Sequence, residues 1–114
     1  MRVPSLALGV VLLGLAAAQA GEISLRVVNV VTPQDVKIWE PTSIAAKKGD
    51  TVTLQLVNRH ADEHGFEIVA FGVKEVVTGE KTSNVKFTAD KAGIFPIKCH
   101  LHPAHVVGQF IVLE

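Results

Sequence analysis

The fold class is decided by residues 51–57, which have the sequence TVTLQLV. Apolar and polar side chains alternate along this segment, so that one face is suited to burial and the other to solvent. Alternation with a period of two residues is the pattern of a half-buried β-strand. No part of the chain has a comparable apolar repeat of 3.6 residues, which an amphipathic helix would require.

Short segments of the same kind occur on both sides of this strand. They are Ile23–Val31, Phe66–Ala70, Asn84–Phe87, Ile94–Cys99 and Gln109–Leu113. Turn residues separate them, and short strands at this spacing are typical of a sandwich or barrel. The sequence therefore predicts a single all-β domain without a linker or an internal repeat.

Two local features refine this prediction. In the first strand the alternation changes phase between Val27 and Val28, which predicts a β-bulge at that point. Pro96 lies within another strand and has no N–H group to donate to a neighbour. Its strand should therefore lie at a sheet edge or carry a bulge.

The first 20 residues have the features of a secretory signal peptide. Arg2 provides a positive start, Leu6–Ala18 is an apolar run, and Ala18-Gln19-Ala20 matches the small-x-small cleavage rule. The run is shorter than the roughly 20 apolar residues of a membrane span. We expect residues 1–20 to be the signal peptide and residues 21–114 a periplasmic or secreted domain, not inserted in the membrane. An uncleaved membrane anchor is the alternative.

Composition excludes several classes of protein. The 114 residues are 48% hydrophobic and 19% charged, which is incompatible with an extended disordered chain. The 11 basic residues are balanced by 11 acidic ones, so the basic excess of a typical nucleic-acid binder is missing.

Cys99 is the only cysteine and cannot form an intramolecular disulfide. In an oxidising compartment such a cysteine is either buried or bound to something.

A metal site is predicted by residues 99–105, which have the sequence CHLHPAH. Cys99 shares the inward parity of its strand, and His102 and His105 follow at intervals of three residues. A tight loop can turn both imidazoles back towards the thiolate, and Pro103 stiffens that loop. A thiolate with two imidazoles is suited to copper or zinc rather than to magnesium or calcium.

A fourth candidate lies far upstream, at His64. This residue begins a predicted strand and shares the parity of Phe66 and Ile68, so its side chain should point inwards. Gly65 leaves room for another segment to approach. A sandwich that places the start of this strand beside the end of another would assemble the four predicted ligands, which are His64, Cys99, His102 and His105.

Other polar and aromatic residues near these positions are expected to play lesser roles. His60 and His100 are predicted to lie outside the ligand set, and Glu63 is predicted to be solvated, with direct ligation as its alternative. Trp39 is expected to pack in the core or beside the site.

The chain resembles the cupredoxins, which are copper-binding Greek-key β-sandwiches. The turn at Lys47–Asp50, the His64-Gly65-Phe66 step and the Cys99 loop occur in the order found in that family. The resemblance implies one copper ion, held by an upstream histidine, a Cys-x-x-His pair and a weak axial ligand. The ligand spacing is similar to that of amicyanin, in which an axial methionine stands in the place of His105. Here Met1 is the only methionine.

Within this family the chain resembles the nitrosocyanin-like red copper proteins more closely than amicyanin. The similarity lies in Ala70–Val76, Phe87–Gly93 and Cys99–Pro103. It implies copper held by one cysteine, two histidines and a glutamate, with an open position. Here His64 takes the place of the glutamate, and the loop after His102 is two residues shorter.

Electron transfer by one copper ion per chain, with redox proteins as partners, is the function that these features favour. An electron carrier is preferred to an enzyme. The alternatives are an open copper site that binds or transforms a small molecule such as nitric oxide, copper sequestration or delivery, and a structural zinc site of one cysteine and three histidines.

Overall fold

A computed structural model of the protein describes residues 20–114. Residues 1–19 of the predicted signal peptide lie outside the described residues. Cleavage after Ala20 and the boundary at residue 21 therefore stay predictions.

Nine strands and one short turn of 3₁₀ helix account for the regular structure of the described residues, which contain no α-helix. The strands are β1 (Glu22–Val31), β2 (Lys37–Glu40), β3 (Ser43–Lys47), β4 (Thr51–Asn58), β5 (His64–Ile68), β6 (Val73–Val77), β7 (Thr82–Thr88), β8 (Gly93–Ile97) and β9 (Gly108–Leu113), and the 3₁₀ turn is Val69–Phe71. The prediction of an all-β fold is confirmed.

The strands form a Greek-key β-sandwich. One sheet has the order β2-β1-β4-β7, a second has the order β3-β9-β8, and β5 pairs with β6 in a two-stranded sheet. β1 runs parallel to β4, and β3 runs parallel to β9, although each pair is separated in sequence. These crossovers place strands that are distant in sequence side by side in the same sheet.

The core lies between the sheets and follows the alternation of β4. Val52, Leu54 and Leu56 are fully buried, and they pack with Phe66 of β5 and Phe110 of β9. Burying a side chain of this size contributes about 1.5–3 kcal/mol relative to leaving it exposed. The alternating segment that predicted the fold therefore supplies a central part of the core.

The bulge predicted in the first strand was wrong. β1 pairs with β4 in an uninterrupted register from Glu22 opposite Thr51 to Asn29 opposite Asn58. Val27 and Asn29 are both fully buried, so the inward phase continues through the strand. A polar residue occupies an inward position here, and this made the apolar pattern appear to slip.

The edge position predicted for Pro96 is confirmed, because β8 lies at the edge of its three-stranded sheet.

The strand predicted as Phe66–Ala70 ends at Ile68, and Ala70 belongs to the 3₁₀ turn. This turn closes at Gly72, whose φ of 67° is the left-handed conformation that glycine adopts readily. The sequence analysis did not identify β2, β3 or β6.

Candidate metal centre

His64 and Cys99 are brought together by backbone contacts between two strands. His64 is the first residue of β5, and Cys99 follows the end of β8 by two residues. The backbone N–H groups of Glu67 and Lys98 each donate to the other residue's carbonyl oxygen, at 2.7 and 3.0 Å. The Gly65 N–H donates to the Cys99 Sγ at 3.2 Å. The thiol is therefore held by the same strand that carries His64.

Two successive turns arrange the loop that follows Cys99. The His102 N–H donates to the Cys99 carbonyl oxygen at 3.3 Å, and the His105 N–H donates to the His102 carbonyl oxygen at 3.0 Å. The Cys99 Sγ lies 3.4 Å from the His102 Nδ1. The three-residue spacing thus turns both imidazoles towards the sulfur.

The four predicted ligands lie together at one end of the sandwich. One donor atom each from His64, Cys99 and His105 lie within 4.8 Å of one another, and all three residues are buried. His102 is in contact with the sulfur, and its ring centroid lies 4.7 Å from that of His64. Because metal–ligand bonds are about 2.0–2.3 Å long, small side-chain movements are enough for these donors to share one ion.

The His64 imidazole suits a metal cation. The side chain is fully buried, and its Nδ1 has no hydrogen-bond partner among the described residues. Burial, together with the neighbouring imidazoles of His102, His105 and His60, lowers the pKa of His64 from 6.5 to about 4. The ring is therefore neutral at neutral pH. A buried polar nitrogen without a partner is costly, and a metal bound there would remove that cost.

His105 is buried as well, and burial lowers its pKa. Its Nε2 lies 2.8 Å from the Asn29 Oδ1 and its Nδ1 3.2 Å from the Val106 carbonyl oxygen. A thiol with three imidazoles is a donor set that fits copper or zinc. The residues present are thus chemically suited to the copper that the cupredoxin resemblance implies.

The residues predicted to lie outside the ligand set surround it. His60 Nδ1 lies 3.1 Å from His64 Nε2, on the side of the ring away from Nδ1. His100 packs against Gly65 so closely that a methyl group there would collide with its ring. Glu63 is exposed. Trp39 is buried beside the site, and its indole N–H donates to the Gly65 carbonyl oxygen at 2.9 Å.

Asn29 and Asn58 are the polar residues near the site that sequence reasoning missed. Both are buried, and their side chains are hydrogen-bonded to each other at 3.1 Å. Asn58 is the last residue of β4, and Asn29 lies two residues before the end of β1. A polar residue at an inward position is the signal that could have identified them. The bulge inferred at this point hid that signal.

A cavity of about 370 Å³ opens beside the cluster. Its lining includes Cys99, His102 and His105 together with Glu67, Lys98 and Val107. The cavity thus lies against three of the four predicted ligands.

The fold and the buried cysteine–histidine cluster define a domain of the cupredoxin type. Residues 5–112 match the family described as the cupredoxin-like domain, and the chain belongs to that family. No helix among residues 20–114 is long and apolar enough to cross a membrane.

Known proteins agree with this classification. The nitrous-oxide reductase of Cupriavidus necator is 45% identical over 56 residues, which cover 46% of this chain and 9% of the reductase. The chain thus matches about a tenth of the length of this relative.

Solved structures show the same fold. Copper nitrite reductase from Nitrosomonas europaea superimposes with a TM-score of 0.70 at 20% identity, over 81% of this chain and 41% of that one. Auracyanin A, a blue copper protein from Chloroflexus aurantiacus, gives a TM-score of 0.66 at 18% identity, over 81% of this chain and 99% of that one.

Proposed function

We propose that the protein is an exported copper protein that transfers electrons, with one copper ion per chain held by His64, Cys99, His102 and His105. The observation that carries this proposal is the cluster of one thiol and three imidazoles at the end of a cupredoxin-type sandwich, in which Cys99, His64 and His105 are buried and His102 is half-buried.

Copper is favoured over other metals by the chemistry of the donors. Thiolate and imidazole are ligands suited to copper and zinc, and copper binds more tightly than zinc in the usual order of divalent metals. Copper coordinated by the Cys99 thiolate would supply a one-electron redox couple. The protein's own residues would then set the geometry and the potential of that couple.

Electron transfer is supported by the way the donors are held. His64 lies on a strand, and the turns at His102 and His105 restrict the loop. The Gly65 N–H donates to the Cys99 sulfur, and hydrogen bonding around this sulfur is one of the factors that tune a copper potential. A ligand arrangement that changes little between Cu(II) and Cu(I) keeps the reorganisation energy of electron transfer low. An imidazole from His105 in the fourth position would favour Cu(II) and lower the potential.

The proposal is tested by adding Cu(II) to the protein beginning at Gly21. We expect one copper per chain, a reversible reduction in voltammetry and a visible spectrum that azide does not change. More than one copper per chain, or a redox-silent copper, would count against an electron carrier.

A nitrosocyanin-like open site is the second candidate, and the cavity of about 370 Å³ beside Cys99 favours it. In that case His105 does not bind copper, and the free position takes water or a small molecule such as nitric oxide. A spectrum that shifts when azide or nitric oxide is added would support this function and contradict the closed site.

Export is proposed from the signal-peptide features of residues 1–20, which would direct the domain to the periplasm or outside the cell. Mass spectrometry of protein recovered from the native host should give a chain that begins at Gly21. A chain in the membrane fraction that retains Met1 would overturn this part of the proposal.

A further inference from the structure

Two buried amide side chains connect the segments that carry the candidate ligands. Asn29 of β1 and Asn58 of β4 are opposite each other in the parallel register, and both are almost completely inaccessible to solvent. A buried amide must find its hydrogen-bond partners inside the protein, so each of its polar atoms restricts a neighbour.

The orientation of the Asn58 amide is fixed by backbone groups. Its Nδ2 donates to the carbonyl oxygens of Asp62 at 2.7 Å, Val77 at 3.1 Å and Thr78 at 3.4 Å. Its Oδ1 accepts the backbone N–H of His60 at 2.9 Å. Because a carbonyl oxygen only accepts and a backbone N–H only donates, the opposite orientation would break every one of these bonds.

The orientation of Asn29 follows from that of Asn58. The Asn29 Nδ2 donates to the Asn58 Oδ1 at 3.1 Å. The Asn29 Oδ1 must then face the other way, where it lies 2.8 Å from the His105 Nε2. An amide oxygen has no proton to give, so this contact is a hydrogen bond only if the His105 Nε2 carries one.

A competing acceptor faces the other nitrogen of the same ring. The His105 Nδ1 lies 3.2 Å from the Val106 carbonyl oxygen, and a neutral imidazole has one proton for the two contacts. The contact with Asn29 is the shorter of the two. The contact with Asn29 is also buried, whereas the contact with Val106 is only partly buried, so an unpaired oxygen would be more costly at Asn29.

We infer that Asn29 is a positioning residue for the copper site. It holds His105 as the tautomer protonated at Nε2 and leaves the lone pair of Nδ1 for the metal. Asn58 connects Asn29 to the segment of the upstream ligand. The Asn58 Oδ1 that accepts from Asn29 also accepts the backbone N–H of His60, four residues before His64. The copper part of this inference rests on the proposed function, whereas the tautomer is a property of the metal-free protein.

The tautomer is measured directly by ¹⁵N NMR of the histidine rings in the metal-free wild-type protein at neutral pH. We expect a protonated Nε2 and an unprotonated Nδ1 for His105, with slow exchange of the buried proton. A His105 ring protonated at Nδ1, donating to Val106, would overturn the inference without bearing on whether the cluster binds copper.

Substitutions at Asn29 test the effect on the metal. Asn29→Leu has a similar volume but no acceptor, and we expect loss of the single tautomer, a shifted copper absorption spectrum and about 10- to 100-fold weaker copper binding. Asn29→Asp keeps an acceptor oxygen beside His105 but places an oxygen against the Asn58 Oδ1, so we expect the tautomer to be kept and the stability to fall. The matched control is Val27→Ala, because Val27 is fully buried on the same face of β1 and does not contact His105 through a hydrogen bond. It should lower stability and leave the tautomer and the spectrum unchanged.

The outcomes separate this inference from the proposed function. A folded Asn29→Leu protein with the wild-type spectrum and copper affinity would show that Asn29 is a structural amide only, which overturns the inference. If Val27→Ala shifts the spectrum as much as Asn29→Leu does, the inference also fails. If His105 has the expected tautomer but the wild-type protein binds no copper, the proposed function fails and the Asn29–His105 hydrogen bond is supported.

Discussion

His64 and His105 reach the candidate metal centre from two regions that hold their side chains by different means. His64 lies on β5 and is paired with Val77 of β6, so the sheet itself fixes its position. His105 lies in a loop, and its ring is hydrogen-bonded to Asn29 of a distant strand. The His64 Nδ1 has no partner among residues 20–114, whereas both nitrogens of His105 face oxygens. The backbone pairing of β5 positions His64, whose ring contacts the His60 side chain at one nitrogen, whereas the His105 ring depends on Asn29 and Val106 at its two nitrogens.

The largest effect is expected from removing the strand ligand. His64→Ala deletes a buried imidazole donor, and it should weaken copper binding by more than the roughly 10- to 100-fold typical of losing a ligand's partner. Competition with a chelator of known affinity measures the change. The matched control is Glu63→Gln, since Glu63 is exposed and adjacent in sequence.

The opposite result would change the ligand assignment. If Glu63→Gln rearranges the copper spectrum and His64→Ala does not, a carboxylate holds the metal, as in the nitrosocyanin-like proteins.

A smaller effect is expected from changing the loop ligand. His105→Met replaces an imidazole with a thioether, which binds Cu(II) more weakly, so the copper–sulfur bond should strengthen. We expect a bluer protein with a higher reduction potential, measured by absorption spectroscopy and voltammetry. His105→Gly should make the spectrum sensitive to azide.

The assignment of His105 as the loop ligand would be wrong if His105→Met changed neither the colour nor the reduction potential of the copper-loaded protein. His105 would then be a buried residue that does not bind copper, and the open-site function would be favoured.

The contact between the two regions is tested at Gly65. A methyl group at this position would collide with the His100 ring, so Gly65→Ala should destabilise the metal-free protein by about 1–3 kcal/mol in urea unfolding. Adding His100→Ala should recover part of this loss, because the ring that causes the collision is removed. Equal stability of wild type and Gly65→Ala would contradict the close packing described here.

A further effect is expected from pH in the metal-free protein. The pKa of His64 is lowered from 6.5 to about 4 in the folded protein, chiefly by burial. As the pH falls below 6.5 the unfolded chain therefore binds a proton that the folded protein does not, and stability decreases until about pH 4. Above pH 6.5 this contribution is constant. Urea unfolding of the metal-free protein across this range should show a weaker pH dependence for His64→Gln than for wild type.

An unchanged pH dependence in His64→Gln would show that other groups carry it. His105 is the first of these to examine, because burial lowers its pKa as well.

The parts of the fold that depend on local pattern could be predicted from the sequence. The alternation of β4 placed Val52, Leu54 and Leu56 in the core, and all three are buried. The spacing of Cys99, His102 and His105 predicted that one loop would gather them, and the structure brings them together with His64. Both features are contained within a few consecutive residues.

The parts that depend on distant partners could not be predicted in the same way. β3 has Ala46 at an inward position, and alanine is a weak indicator of a strand until its pairing with β9 is known. The burial of Asn29 depends on Asn58 and His105, which lie far along the chain. A single sequence gives no direct signal for such partners.

The proposed electron transfer depends first on the binding of copper by the Cys99 thiolate. This binding is tested most directly by the absorption and electron paramagnetic resonance spectra of the Cu(II)-loaded wild-type protein and of Cys99→Ser. Of the residue types at this site only a thiolate gives intense visible absorption with Cu(II). We therefore expect a strongly coloured wild-type protein and a folded Cys99→Ser protein that has lost the visible band. Copper binding by the Cys99 thiolate would be excluded by a visible band of unchanged intensity in Cys99→Ser. It would also be excluded by a wild-type protein that binds Cu(II) without colour.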